Sequence, residues 1–323
     1  MGRLRSVDVC SGAGGLALGL ERAGFDPVVL LDNKSVACET LQRNRPAWNV
    51  LEMDLLDFDP VEHPESYDVD LLSAGLPRVK SSATAQRVET GIERRLLGAT
   101  VLLAHAVQPR ALLIENVPGL VDGPEFDEVR DYIQKELEHL GYGFHWFIVN
   151  AADFGVPQDR EQGVLVALKN RFFSAFRPPK PTVARHITAG EALHASMSER
   201  GWTGAVAWAA QADRVAPTLV GGSDKRGGAD LGPTGTKKTW ARMGINGGAL
   251  SNEVPGPNGV QESDTSPSGL KKITVPQTAI LQSFPNDWVF AGKKTAQYRQ
   301  IGHASPPPVG EALGKSIAEA LDS

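Results

Sequence analysis

Residues 11–17, Ser11-Gly12-Ala13-Gly14-Gly15-Leu16-Ala17, lie between an apolar run ending at Cys10 and an amphipathic stretch. The pattern is Gly-x-Gly-x-x-Ala in a strand-to-helix position. Glycines permit a tight turn and a close backbone approach, and a helix N-terminus offers unpaired N–H groups. Asp32 lies twenty residues after Gly12, at the end of the next apolar run. That spacing suits a carboxylate gripping ribose hydroxyls. Strand, glycines, helix, strand and acid together predict a nucleoside-containing cofactor. The loop alone does not separate a nicotinamide dinucleotide from S-adenosylmethionine. A second candidate is Glu115, in Ile114-Glu115-Asn116-Val117-Pro118-Gly119, where another apolar run ends. A buried ionised carboxylate is costly unless paired, so Glu115 is either salt-bridged or capping, or placed for chemistry.

These residues need a scaffold, and the first half of the chain supplies one. Strand patterns fall at 7–10, 28–31, 49–52, 68–73, 111–115, 144–150 and 163–168. Helical patterns lie between several of them, at 16–23, 35–43, 95–107 and 126–140. Alternating strand and helix signals predict an α/β fold with a mostly parallel sheet covered on both faces. The character changes at the Pro-rich 177–181, which reads as an extended linker. From 201 to 269 the chain is rich in Gly, Pro, Ser and Asn and reads as loop-dominated. Regular patterning resumes at Ile273. A closing helix is expected at 309–321, after Pro306-Pro307-Pro308.

With 323 residues, one large and one smaller domain are expected. The expected division is a cofactor-binding, catalytic-like domain at 1–180, completed by 302–323, and a smaller irregular domain at 181–301. Hydrophobic content of 41% and charged content of 22% are ordinary for a soluble globular protein. No apolar run approaches the ~20 residues of a membrane helix, and no signal peptide is evident. The two cysteines, Cys10 and Cys38, suggest no disulfide framework, and a reducing, cytoplasmic setting fits. The net charge of −5 is uneven: residues 221–300 hold ten Lys and Arg against six Asp and Glu, leaving −9 elsewhere. Affinity for phosphates depends on local basic surface, not on the sum.

Several segments together resemble the bacterial DNA cytosine-5 methyltransferase family, over essentially the whole chain. Residues 7–15 followed by Leu18-Gly19-Leu20-Glu21-Arg22-Ala23-Gly24-Phe25 look like the family's first motif. Gln158-Asp159-Arg160-Glu161-Gln162 resembles its Gln-x-Arg-x-Arg segment. Leu281-Gln282-Ser283-Phe284-Pro285 and residues 298–309 resemble its last two motifs. Residues 216–223 and 227–234 are similar to a target-recognition region. The C-terminal motifs argue strongly against a nicotinamide-dependent oxidoreductase. The resemblance implies a Rossmann-like methyltransferase fold with an irregular target-recognition domain, acting on double-stranded DNA. It implies S-adenosylmethionine, or its product S-adenosylhomocysteine, held by Cys10, Gly12, Gly14, Gly15, Asp32, Asp54, Leu96, His303 and Ser305. Asp32 would bind ribose and Asp54 the adenine amino group. Glu115 would hold a flipped cytosine, and Arg160 is the first Arg of the Gln-x-Arg-x-Arg segment, counted among the catalytic positions. Lys225, Arg226, Lys237, Lys238 and Arg242 are candidates for phosphate or base-edge contacts.

The departures cluster where the chemistry belongs. Residues 75–82 read Gly-Leu-Pro-Arg-Val-Lys-Ser-Ser, where the family has Gly-Leu-Pro-Cys-Pro-Pro-Phe-Ser or close to it. Arg78 thus stands at the nucleophilic cysteine, Gln162 at the second Arg and His303 at an Asn. Carbon 5 of cytosine is a poor nucleophile, and the family activates it by adding a thiolate to carbon 6. A guanidinium stays protonated and offers no usable lone pair. Carbon-5 methylation is therefore expected to be absent or very weak, leaving a protein that binds DNA and S-adenosylmethionine as a regulator or as partner of a methyltransferase or restriction subunit. The alternative is an active enzyme using a cysteine-independent route such as exocyclic amine methylation. Against it stands the lack of the Asp/Asn/Ser-Pro-Pro-Tyr/Phe motif of amino-methyltransferases.

Overall fold

A computed structural model describes residues 2–78, 90–222, 228–261 and 269–323. In chain order the elements are β1 (Leu4–Val9), α1 (Gly15–Arg22), β2 (Phe25–Asp32), α2 (Ser35–Asn44), β3 (Val50–Glu52), β4 (Leu71–Gly75), α3 (Thr90–Val107), β5 (Ala111–Asn116), α4 (Gly119–Asp122), α5 (Asp127–His139), β6 (Tyr142–Asn150), β7 (Gln158–Asp159), β8 (Glu161–Lys169) and α6 (Asn170–Phe173). The remainder is α7 (Ala189–Ser198), α8 (Ala205–Gln211), β9 (Ala216–Pro217), α9 (Thr234–Arg242), α10 (Val275–Leu281), α11 (Lys294–His303) and α12 (Pro307–Leu321).

Seven strands form one sheet in the order β3-β2-β1-β4-β5-β8-β6. β1 is parallel to β2 and β4, β2 to β3, and β4 to β5, while β8 runs antiparallel to β5. This is the mostly parallel α/β sheet that the alternation predicts, with the Rossmann-like character that the resemblance implies. Pro27 sits inside β2 because the register slips there: Ser6 faces Pro27, but Val7 faces Val29. Proline lacks the N–H a ladder needs, and a bulge tolerates that loss. Strand side chains alternate between the faces. Val7, Val9, Val29, Leu31, Leu72, Ala74, Leu112 and Ile114 face a core that includes Leu97, Val101 and Ala104 of α3 and Ile133 and Leu137 of α5.

The chain divides into two compact units: Met1–Val149 with Glu161–Lys180 and Val309–Ser323, and Asn150–Arg160 with Pro181–Pro308. The excursion at 150–160 belongs with the second unit because β7 pairs in parallel with β9. In the first unit α12 crosses α1 closely. A Cβ added at Gly314 would lie 2.6 Å from the Ala23 methyl and 3.0 Å from a Leu20 methyl. Overpacking of this kind costs ~1–3 kcal/mol. Gly314→Val is expected to lower stability by about that amount, measured by denaturant titration; an unchanged midpoint would refute the close crossing.

In the second unit, α7 and α10 each start with a capping box, Thr188 with Glu191 and Thr274 with Gln277. The described residues of 201–269 are irregular as expected, apart from the short helices α8 and α9 and the two-residue strand β9. α9 escapes a periodicity reading because Trp240 is its one buried residue, so no apolar stripe exists to detect. Among the described residues no helix is long and apolar enough to cross a membrane.

Candidate functional site

Sheet order reverses between β1 and β4. β1 leads outward to β2 and β3, whereas β4 leads to β5 on the other side. Open parallel sheets bind ligands outside their carboxyl ends at such a switch point. The chain leaves β1 through Cys10, whose φ of 54° lies in the left-handed region that non-glycine residues rarely adopt. Gly12 and Gly14 follow with φ of 52° and 82°, and Gly14 caps α1. Ser11 N donates to Leu31 O at 3.0 Å and Gly14 N to Ser11 O at 2.9 Å. The loop is thereby pinned to β2, and Gly15 begins the helix.

Asp32 holds this loop directly. Its Oδ2 accepts from Gly12 N and its Oδ1 from Lys34 N, each at 2.9 Å. Burial pushes the Asp32 pKa up, opposed by these two backbone N–H groups. Asp54 follows β3 and caps the next turn: Oδ1 accepts from Leu56 N at 3.0 Å, and Oδ2 from Asn33 Nδ2 at 2.9 Å. Leu96 packs into the apolar core on α3.

β4 delivers the segment that carries Arg78. A Cβ at Gly75 would lie 3.5 Å from Cys10 O, so the β1 and β4 ends are in contact. In the β4–β5 ladder Gly75 faces Glu115, which is 6% exposed. Asn116 Nδ2 donates to Pro77 O at 3.3 Å, pinning the chain one residue before Arg78. Arg78 itself is exposed. Gln162, fully buried on β8, precedes Gly163, which faces Asn116. A Cβ at Gly163 would fall 2.3 Å from Val117 O, so that close approach requires glycine. Lys80, Ser81 and Ser82 lie outside the described residues.

The other expected site residues belong to the second unit. Arg160 is fully buried, and its Nη1 donates to Leu219 O at 3.2 Å and Gly302 O at 3.0 Å. Gln158 bonds Gln282 Oε1 at 2.6 Å and accepts from Leu219 N at 2.8 Å. Gln282 in turn donates to Ala304 O. This buried polar network ties Gly302 and Ala304 to Leu219. His303 Nε2 lies 3.2 Å from Gly222 O, and Ser305 is buried. Leaving a buried partner unsatisfied costs ~1–3 kcal/mol, more with charge. Arg160→Leu is expected to destabilise the second unit by ~3 kcal/mol, seen in thermal unfolding. On α9, Lys238 and Arg242 are exposed one turn apart, while Lys237 pairs with Asp230 at 3.2 Å. Lys225 and Arg226 lie outside the described residues.

Both thiols are poor nucleophiles in this setting. Burial pushes Cys10 up strongly, and the charges of Asp32, Asp8 and Asp54 add to it. Burial pushes Cys38 up to about 11, and its Sγ lies against Asp32 O and Leu51 O. Thiolates arise beside cations, not carboxylates. The same field suits a ligand with a cationic centre and ribose hydroxyl donors. A Cβ on Gly12 would meet nothing within 4 Å, so the space beside the loop is open. These features fit S-adenosylmethionine. Sequence reasoning passed over one acid here, Asp8, which is buried inside β1. Its signal is an acid between two valines destined for the sheet centre.

Residues 4–319 match the family model of the C-5 cytosine-specific DNA methylase. The chain is 42% identical to the type II methyltransferase M.NaeI of Lentzea aerocolonigenes over 100% of its length and 76% of that protein. It is 40% identical to the type II methyltransferase M.NgoMIV of Neisseria gonorrhoeae, covering 98% of this chain and 97% of that one. In architecture it is similar to the Entamoeba histolytica methyltransferase EhMeth, with a TM-score of 0.66, 14% identity and full coverage of both chains.

Proposed function

The chain belongs to the C-5 cytosine-specific DNA methylase family, and from that premise we propose that it binds S-adenosylmethionine and double-stranded DNA with little or no methyl transfer to carbon 5 of cytosine. One observation carries the reading: the chain that leaves β4 at the switch point presents Arg78, and no reactive thiol stands in for a cysteine there.

When bound, S-adenosylmethionine supplies an electrophilic methyl group. Asp32 and Asp54 would accept hydrogen bonds from ribose and adenine, and the glycine loop would let the backbone approach closely. Glu115, beside Gly75 at the β5 end, would hold a base taken out of the duplex by its Watson–Crick edge. Lys238 and Arg242 would contact phosphates. What is missing is the addition at carbon 6. Arg78 remains protonated, and Cys10 and Cys38 are held as thiols by burial among carboxylates. The carbon-5 position is then never made electron-rich.

The test is calorimetry with S-adenosylmethionine and S-adenosylhomocysteine, then incubation with mixed-sequence duplex and mass spectrometry of the nucleosides. Cofactor and duplex binding without 5-methylcytosine is expected. Failure to bind either cofactor form would overturn the cofactor reading. A methyl group on an amino nitrogen would favour a cysteine-independent enzyme instead.

A further inference from the structure

Asp8 is a buried ionisable group that this chemistry leaves unused. It lies in the central strand β1 and is 1% exposed. Its register partner on β4 is Ser73, whose Oγ is 2.5 Å from Asp8 Oδ1. Ser73 Oγ is also 3.3 Å from Val7 O, and Ser11 Oγ donates to Asp8 O at 2.9 Å. The three side chains therefore link the base of the glycine loop to the strand that ends at Gly75. The other carboxyl oxygen, Oδ2, meets no hydrogen-bond partner among the described residues.

Among the described residues no cation compensates this carboxyl. β4 has no charged residue, and β2 brings only Asp26 and Asp32. On α1, Glu21 is engaged by Arg45, and Arg22 is exposed at the far end of the helix. On α12, Glu311 and Lys315 pair with each other, and Glu319 is exposed. Cys10 and Asp54, further along the crevice, add no positive charge. Protonated, the acid can donate to Ser73 Oγ, whose hydroxyl then donates to Val7 O, so both protons are used. Ionised, it still accepts from Ser73 Oγ, but it becomes a buried charge with no counter-ion and with Oδ2 unsatisfied, and the burial cost outweighs the one hydroxyl bond.

We propose that Asp8 is a positioning residue for the cofactor loop: the Asp8–Ser73 pair locks the carboxyl ends of β1 and β4 together, and a proton on Asp8 keeps that lock closed. The inference rests on the cofactor reading above and adds a pH dependence to it. Burial raises the Asp8 pKa from 3.8 to about 6, with the Ser73 and Ser11 hydroxyls opposing it and the Asp32 charge adding to it. The sign follows from linkage. The folded state holds this proton more tightly than the unfolded chain, so stability is lost as pH rises from about 4 to about 6 and stays lower above. Loop order, and with it cofactor affinity, falls over the upper part of that window.

The test measures S-adenosylhomocysteine affinity by calorimetry from pH 5 to pH 8 for wild type, Asp8→Asn and Ser73→Ala. Asn keeps the shape and cannot ionise. Titration of the ligand and of Asp32 is common to all three proteins. Wild-type affinity is expected to fall several-fold more across the range than that of Asp8→Asn, with the two alike at pH 5. Ser73→Ala is expected to weaken binding several-fold at pH 5. Parallel wild-type and Asp8→Asn profiles would overturn the proposal, as would a Ser73→Ala protein that binds like wild type. Thermal unfolding supplies a second readout, in which the Asp8→Asn midpoint should gain on wild type as pH rises from 4 to 7. If no protein binds the ligand at any pH, the cofactor reading fails, and a constant difference in midpoint would overturn the Asp8 reading separately.

Discussion

Arg78→Cys is expected to yield no 5-methylcytosine, and neither it nor the wild-type protein should form a covalent adduct with duplex containing 5-fluorocytosine. Losing a catalytic nucleophile costs on the order of 10⁴–10⁶ in turnover. Restoring the sulfur alone leaves two other departures around the target base in place. Gln162 stands where the resemblance places a base-contacting Arg, and a neutral amide makes weaker hydrogen bonds than a guanidinium. The residues after position 78 are Val79-Lys80-Ser81 in place of Pro-Pro-Phe, so the restored thiol would be followed by an altered sequence. A variant combining Arg78→Cys, Gln162→Arg and the Pro-Pro-Phe loop is expected to recover adduct formation. An adduct from Arg78→Cys alone would show that the pocket is otherwise sound. One from the wild-type protein would refute the central chemical claim.

Asp32→Ala is expected to weaken S-adenosylhomocysteine binding by about 100-fold, the equivalent of two hydrogen bonds to a charged group at ~1.5 kcal/mol each. The carboxylate serves two ends at once. It would accept from ribose, and it already accepts from Gly12 N and Lys34 N at 2.9 Å. Losing it removes one of the ties between the glycine loop and β2, the other being Ser11 N to Leu31 O, as well as a ligand contact. Asp32→Asn can accept only through its single carbonyl oxygen, so an intermediate loss is expected. Calorimetry decides it: affinity within threefold of wild type for Asp32→Ala would remove Asp32 from the cofactor site.

Much of the fold was legible because its signals are local. Seven strand patterns correspond to seven sheet strands, with boundaries displaced by a few residues. The Gly-x-Gly loop and Asp32 were readable because a turn and a spacing are encoded within some twenty residues. Arg78 was readable as a departure because the segment around it resembles a known motif so closely.

Residue types and their spacing determined the parallel α/β class, the nucleoside-type loop and the absence of a thiol at position 78. Tertiary structure alone decided that Asn116 pins Pro77, that Arg160 and Gln158 bind backbone and a distant glutamine within the second unit, and that Asp8 meets Ser73 across the sheet. Those pairs are separated by 39 to 124 residues in the chain. No local pattern specifies them, because burial and strand register bring them together only after the sheet has formed.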